Sequence, residues 1–439
     1  MSSIIGRFLF LSCCALFSVA FAATSASAAD EDTIIYTVKR GDTLIGLGNN
    51  YLAAPGNYRI VQRENAIRNP RFLPIGQTIR IRRDLLKYKA ENARILSVRG
   101  NVTLLSGNSS GAAQNGQIVA EGMRITTGGS SFVTLGLSNG SRISLPSNSD
   151  VRVRLLRSYI LGGSIDYDFD IVKGGTRSKV VPHKNKDDRY RVRTPKAVSA
   201  VRGTDFQSRY DSDTDRDFAE VVEGALAVGT ASSDGVTDLP AGQGIALSQD
   251  GNVIREALLP EPKLIDPGKL QADPAILFAA DPAAGESGYR FTLSSDAGFV
   301  DQIADIVTLD KQASFDGLDN GNYFVRARAI AGSGIQGQPV TFAFKRRLNG
   351  VKGSAGKGDD GYNFKWLSEG EGKRSFHFQL FSGQPGGVAI ADETALSAGE
   401  ISISDLPPGT YFWRVGAVQY LDNEVSTNWT DFEKLSIAP

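Results

Sequence analysis

Residues 190–206 constrain the fold of this chain more than any other stretch. Tyr190, Val192 and Thr194 alternate with Arg191 and Arg193, the period-two pattern of a strand with two unlike faces. Pro195 ends that run, because its ring fixes φ and it has no N–H to give to a ladder. Val198 and Val201 then lead into a turn that pivots on Gly203, and Thr204, Phe206, Ser208 and Tyr210 begin a second alternating run. The acidic segment 211–217 separates it from a third run, 218–228, which predicts a β-hairpin with an acidic loop. The composition agrees with a turn-rich β protein: 48 glycines and 9% aromatic residues, but only 2 methionines.

At 439 residues the chain exceeds what one core needs, so several domains are expected. Residues 1–29 read as a cleavable secretory leader: Arg7 is the positive region, 8–23 is apolar, and Ala26-Ser27-Ala28 is a small-x-small cleavage site, with Ala20-Phe21-Ala22 as a rival. Both cysteines, Cys13 and Cys14, fall in it, so the expected mature chain has no disulfide, thiol nucleophile or thiolate metal site. The expected location is periplasmic, and in that compartment the natural anionic partner is the cell wall, not nucleic acid.

Residues 30–86 predict strand, helix, helix, strand. Ile35 to Lys39 alternate, Asp42 or Thr43 can cap a helix carrying Leu44, Leu47 and Tyr51, and Asn57 can cap a second over 58–64, with Ile60 and Val61 inward. The returning strand is 75–81. Tyr36-x-Val38-x-x-Gly41-Asp42-Thr43-Leu44, then Asn65, then Leu73-Pro74-Ile75-Gly76-Gln77-x-Ile79 resemble a LysM domain, with departures at Ile45, Gly46 and Arg82. That resemblance implies a shallow groove for the N-acetylglucosamine of peptidoglycan, between two loops. One holds Gly41, Asp42, Thr43 and Leu44; the other holds Ile67, Asn69, Pro70, Arg71 and Phe72. Backbone amides and short polar groups suit acetamides, and apolar side chains suit their methyls. Nine basic residues from Arg59 to Lys89, against Glu64 and Asp84, add a positive face around Arg80, Arg82 and Arg83.

Residues 87–92 are polar and read as a linker. Residues 94–105 predict a hairpin round Gly100-Asn101. Within 91–258, Thr194-Pro195-x-Ala197, Ala200-Val201-Arg202-Gly203-Thr204-x-Phe206 and Val222-Glu223-Gly224 resemble the FecR domain, which implies a β-rich periplasmic module and no chemistry. Ten basic residues between Arg177 and Arg209 face only Asp187, Asp188 and Asp205, the pattern of a charge-protected sheet edge.

Beyond a proline-rich junction, 259–267, the chain repeats itself. Leu318 to Ala329, with Tyr323 and Arg326, answers Leu406 to Ala417, with Tyr411 and Arg414. These blocks resemble two fibronectin type III-like repeats, over 260–348 and 349–439, with Phe364-x-Trp366 near the start of the second and final strands at 340–345 and 429–435. Tyr323, Tyr411 and Trp413 are expected as core or corner residues.

Other motifs fail on chemistry. Asp211-x-Asp213-x-Asp215 lacks the glycine and glutamate of a calcium loop, having Arg216 and Val222 there. Residues 350–361 carry Gly356-Lys357 but Gly358 where a phosphate loop needs Ser or Thr, and read as a flexible inter-repeat segment. His183 and His377, the only histidines, fall in separate predicted domains. No metal, cofactor or catalytic residue is therefore assigned. The expectation is a multidomain, mainly β, non-catalytic envelope protein: a small βααβ LysM module, a β-rich FecR-like domain and two β-sandwich repeats. It binds peptidoglycan and offers the other domains to an envelope protein. The alternatives are a FecR-type signalling regulator acting through a membrane partner, and a peptidoglycan hydrolase.

Overall fold

The computed structural model describes residues 32–201, 203–230, 235–248, 250–282 and 284–439. The expected leader and Arg202 lie outside them. Two compact units divide at Lys87 and Tyr88.

The first unit has the expected order. Strand Thr33–Thr37 pairs antiparallel with Thr78–Arg82, with helices Leu44–Tyr51 and Tyr58–Glu64 between them in sequence. Ile34, Val38, Leu47, Val61, Ile79 and Ile81 form its buried interior. Thr43 is the first helix's N-cap, its hydroxyl accepting the Gly46 N–H at 3.0 Å. Asn57 stands at the second N-cap but its side chain makes no capping bond.

The second unit is β throughout. In its first part, two sheets share the long strand Ile165–Lys179. The first half of that strand pairs in parallel with Arg189–Arg193 and antiparallel with Asp150–Tyr159. Its second half pairs with Arg142–Leu145 and Asp205–Asp211 in the other sheet. Between the two sheets lies one core that includes Val102, Ile125, Leu135, Val153, Phe169, Tyr190 and Phe206. The expected hairpin forms: Asp205–Asp211 pairs with Arg216–Glu223 across the acidic turn. Its next neighbour is Gln243–Ser248.

Two expectations fail here. No hairpin forms round Gly100-Asn101, because Asn92–Arg99 pairs with Ile118–Ala120 and Phe132–Leu137 in one sheet, and Val102–Ser106 pairs with Ser109–Ala112 and Arg124–Thr127 in the other. The connection is held instead by the Asn101 N–H on Ser131 Oγ at 2.9 Å and the Gly128 N–H on Asn101 O at 2.9 Å. The expected linker contains a strand, Tyr88–Ala90, that pairs with residues 157–159.

Two sandwiches follow. The first has a three-stranded sheet (Leu264–Ile265, Ile276–Ala280, Gln312–Phe315) and a four-stranded one in the order Gln302–Thr308, Glu286–Ser294, Gly321–Ala331, Val340–Arg346. The second repeats the plan, with Asn349–Gly358, Gly361–Gly370 and Glu400–Ile403 in one sheet. The segment expected to be flexible is therefore a strand, in register with Gly361–Gly370 from Asn349 to Gly358. The final strand of the second sandwich is broken in two, Glu424–Trp429 and Glu433–Ile437, which both pair with Gly409–Leu421. Phe364, Trp366, Tyr411 and Trp413 are buried in its core. The Tyr323 hydroxyl donates to Asp319 O at 3.1 Å and the Tyr411 hydroxyl to Pro407 O at 2.6 Å. Both bonds span four residues, so the repeated tyrosines are corners and not ligand platforms.

The first sandwich docks on the sheet domain. Ile335 packs with Phe218, Ala246 and Leu258. Asp301 takes two bonds from Arg99, both 2.7 Å, and one from Ser97 Oγ at 2.7 Å. The Arg99 guanidinium holds the Asp301 carboxyl well below the usual carboxylate range. A depressed folded pKa contributes stability that is present above the unfolded value, about 3.9, and lost as pH falls below it. Wild type should therefore lose stability on acidification below pH ~4, and Asp301→Asn, weaker at neutral pH, should lose less. Equal acid slopes in the two proteins would refute this.

Candidate glycan-binding site

The two predicted loops of the first unit are joined at one point. The Leu44 N–H donates to Pro70 O at 2.8 Å, so residues 41–44 and 67–72 meet along one edge. The second loop is set by the helix before it: Ile67 N–H donates to Gln62 O at 2.9 Å, and Gln62 Nε2 to Ile67 O at 3.0 Å. Asn69 then folds the tip, its Oδ1 accepting the Arg71 N–H at 3.0 Å and its carbonyl the Phe72 N–H at 3.2 Å. The motif residue Asn65 clamps helix to strand, since its amide bonds Val61 O at 2.9 Å and both Arg80 O and Arg80 N at 2.7 Å.

The candidate residues divide by what they do. Asp42 accepts the Tyr36 hydroxyl and the Lys39 N–H, each at 2.7 Å. Burial, and then the Asp42 carboxylate, push the Tyr36 hydroxyl well above the ordinary tyrosine range, so it remains a donor. Thr43 caps the helix, and the Leu44 side chain is buried in the core. These three hold the edge in shape. Gly41, Asn69, Arg71 and Phe72 are exposed, and Ile67 and Pro70 are half-buried. Phe72 is 71% exposed and Ile75, three residues on, is 70% exposed. Ile75 was not among the sequence-derived candidates. Its signal is an isoleucine between Pro74 and Gly76 that has no place in the core.

The expected basic face is thinner than its composition suggests. Arg83 is buried, Arg82 is engaged by Asp84 and Glu64, and Lys87 Nζ donates to Asn49 O at 2.6 Å. The exposed Arg63, Arg68 and Arg71 are nearer in sequence to the second loop.

The second basic cluster is not an exposed edge. Arg191 is buried between Asp166, at 3.2 Å, and Asp168, at 2.9 Å, and Arg193 Nε donates to Asp168 at 2.9 Å. Its acidic partners lie on the parallel neighbour strand, before Arg177 in sequence. In the acidic loop, Asp215 is engaged by Lys196 at 2.7 Å and by the Tyr210 hydroxyl at 3.0 Å. Among the described residues no group of three His, Cys, Asp or Glu is placed to hold a metal ion.

Residues 36–82 match the LysM domain family, and residues 123–227 match the family described as FecR protein. No curated protein matches the chain. Among solved structures, it is similar to a proposed anti-sigma factor from Parabacteroides distasonis (17% identity, TM-score 0.26), over 30% of this chain and 59% of that one. It is also similar to fibronectin(III)-like modules of Clostridium thermocellum CbhA (16%, TM-score 0.18; 40% of this chain, 94% of that one). A two-domain fibronectin type III segment of chicken tenascin is a further match (15%, TM-score 0.18; 38% of this chain, 98% of that one). The chain thus spans about three-fifths of the length of the anti-sigma factor it matches. It carries a LysM domain and a FecR region on a mainly β architecture. LysM domains bind peptidoglycan glycan chains, and FecR domains act with membrane partners. Both are typical of envelope proteins, and among the described residues no helix is long and apolar enough to cross a membrane.

Proposed function

We propose that the chain is an exported, periplasmic, non-catalytic envelope protein that holds peptidoglycan through its LysM module. Residues 91–258, 260–348 and 349–439 are the FecR-like domain and the two fibronectin type III-like repeats, which it presents to an envelope protein partner. The observation that carries the reading is the Leu44–Pro70 bond, which joins the two loops, taken with the exposure of Phe72 and Ile75. Apolar side chains next to loop backbone groups suit an N-acetyl group: methyl against Phe72 and Ile75, amide against the backbone. Gly41, Asn69, Pro70, Arg71 and Phe72 face the sugar in this reading, while Asp42, Thr43 and Leu44 hold them in place. A second reading, a regulator acting through a membrane partner, is favoured by the FecR match alone.

The full chain should sediment with purified peptidoglycan. Phe72→Ser should weaken retention about tenfold or more, since burying such a ring is worth ~1.5–3 kcal/mol. Asp42→Ala should act differently, loosening the module itself, which circular dichroism and a lowered melting temperature would register. If a chain lacking residues up to 87 sediments as well as the full chain, the LysM module is not the anchor and the proposal fails.

A further inference from the structure

The junction between the sheet domain and the first sandwich encloses a cavity of about 140 Å³ with five arginines in its wall: Arg177, Arg209, Arg290, Arg326 and Arg328. Three are answered by carboxylates. Arg177 meets Asp205 at 3.1 and 2.9 Å, Arg290 meets Asp305 at 2.9 and 2.8 Å, and Arg209 meets Glu220 at 3.4 Å. Among the described residues no carboxylate pairs with the other two. Arg326 lies 3.6 Å over the Phe299 ring and donates to Thr341 Oγ1 at 3.3 Å. Arg328 is buried and donates to Gly337 O at 2.8 Å, and with the Gln207 amide turned over its guanidinium also meets the Gln207 oxygen at 3.0 Å. Donors are also left over. The Thr176 and Ser208 hydroxyls and Arg209 Nε line the same cavity without a partner, in residues that, for Thr176 and Ser208, are 3% and 1% exposed.

Buried, unanswered donors and a buried excess of positive charge are both costly. Water could satisfy the hydroxyls but would leave the charge. An oxyanion answers both, because guanidinium forks and hydroxyl donors match its oxygens. The space is right for one: about 140 Å³ is close to the ~150 Å³ of a cavity that takes a benzene-sized molecule. A smaller adjoining cavity shares Ser144, Arg177, Phe299 and Arg326 and adds Arg142 and the exposed Lys179, which carries the basic lining toward the surface.

We propose that this cavity binds a small oxyanion, of phosphate or carboxylate type, held by Arg326 and Arg328 with Thr176 and Ser208 donating to it. Because the wall is drawn from two domains, the anion ties the first sandwich to the sheet domain, and its binding raises their joint stability. The test is thermal unfolding of the full chain at constant ionic strength in ~10 mM phosphate, sulfate or succinate against sodium chloride. The expected result is a melting temperature at least ~2 °C higher in one oxyanion class than in chloride. Phosphate and sulfate against succinate distinguish the two sources. Arg328→Met should abolish the shift, read against that variant's own melting temperature in chloride. Should that variant not fold, Ser208→Ala and Arg326→Gln should each reduce the shift. Equal melting temperatures in all four salts would overturn the proposal, as would a shift undiminished in the variants, which would mark general screening only.

Discussion

Gly203→Val is expected to unfold the sheet domain at temperatures where wild type is native. Gly203 has φ +94°, a region closed to β-branched residues, and a Cβ there would lie 2.8 Å from Pro182 Cα. Gly224 meets it from the next motif: its φ is +84°, and its own Cβ would lie 2.5 Å from Gly203 O. Thr204 completes the junction by donating its hydroxyl to Ala225 O at 2.8 Å and accepting the Val180 N–H on its carbonyl at 2.9 Å. The two FecR-like motifs are thus two sides of one backbone contact, where no side chain fits. The conformational penalty is ~1–3 kcal/mol, and forcing backbone apart at Pro182 adds ~1–3 kcal/mol. Calorimetry on the full chain should show the sheet-domain transition lowered by many degrees. A Gly203→Val protein that melts with wild type would show that this contact is not needed.

That junction was legible because its signals are local. A turn glycine between two alternating runs, and a proline that ends the first, act within a few residues of themselves. The LysM module was legible for the same reason, and the corner tyrosines because a repeat displays the same offset twice. What could not be read depends on partners distant in sequence. The segment round Gly100 has turn chemistry, but Asn92–Arg99 and Val102–Ser106 found different sheets, a choice made by strands well separated in sequence, as in the pairing of Ala93 with Leu137. Residues 350–358 are glycine-rich and polar, yet they are held as a strand by register with Gly361 to Glu369. In the candidate site the motif located both loops, but not that Asp42, Thr43 and Leu44 are used up by the fold. A carboxylate, a hydroxyl and a leucine look the same in sequence whether they meet a sugar or a neighbouring N–H.

The parallel pairing of residues 166–170 with 189–193 gives the clearest case of a contact hidden from local reading, and the largest expected side-chain effect. Its register sets Asp166, Asp168 and Asp170 opposite Arg189, Arg191 and Arg193, three acids against three bases on alternate positions. Asp168 is 1% exposed and accepts from both Arg191 and Arg193. Asp166 accepts from Arg191 and from the Tyr159 hydroxyl at 3.2 Å. Burial pulls the Arg191 guanidinium below its ordinary value, with Asp168 and then Asp166 opposing that shift. The cost of burying the cation is therefore offset only while these carboxylates remain. Asp168→Ala takes away the nearer one and the principal partner of Arg193, and breaking a buried pair from one side costs ~3–5 kcal/mol. Removing both sides is different. Asp168→Leu with Arg191→Met replaces that pair by apolar volume and should restore part of the loss, the remainder being the partners that Arg193 and Asp166 still lack. Denaturant unfolding of the three proteins measures this as a double-mutant comparison. If Asp168→Ala costs less than ~1 kcal/mol, water reaches the pair and the ladder is a surface feature. If the double variant is as weak as the single one, the charges help to set the register of the parallel pairing, because a slip by one residue would part all three acids from the three bases.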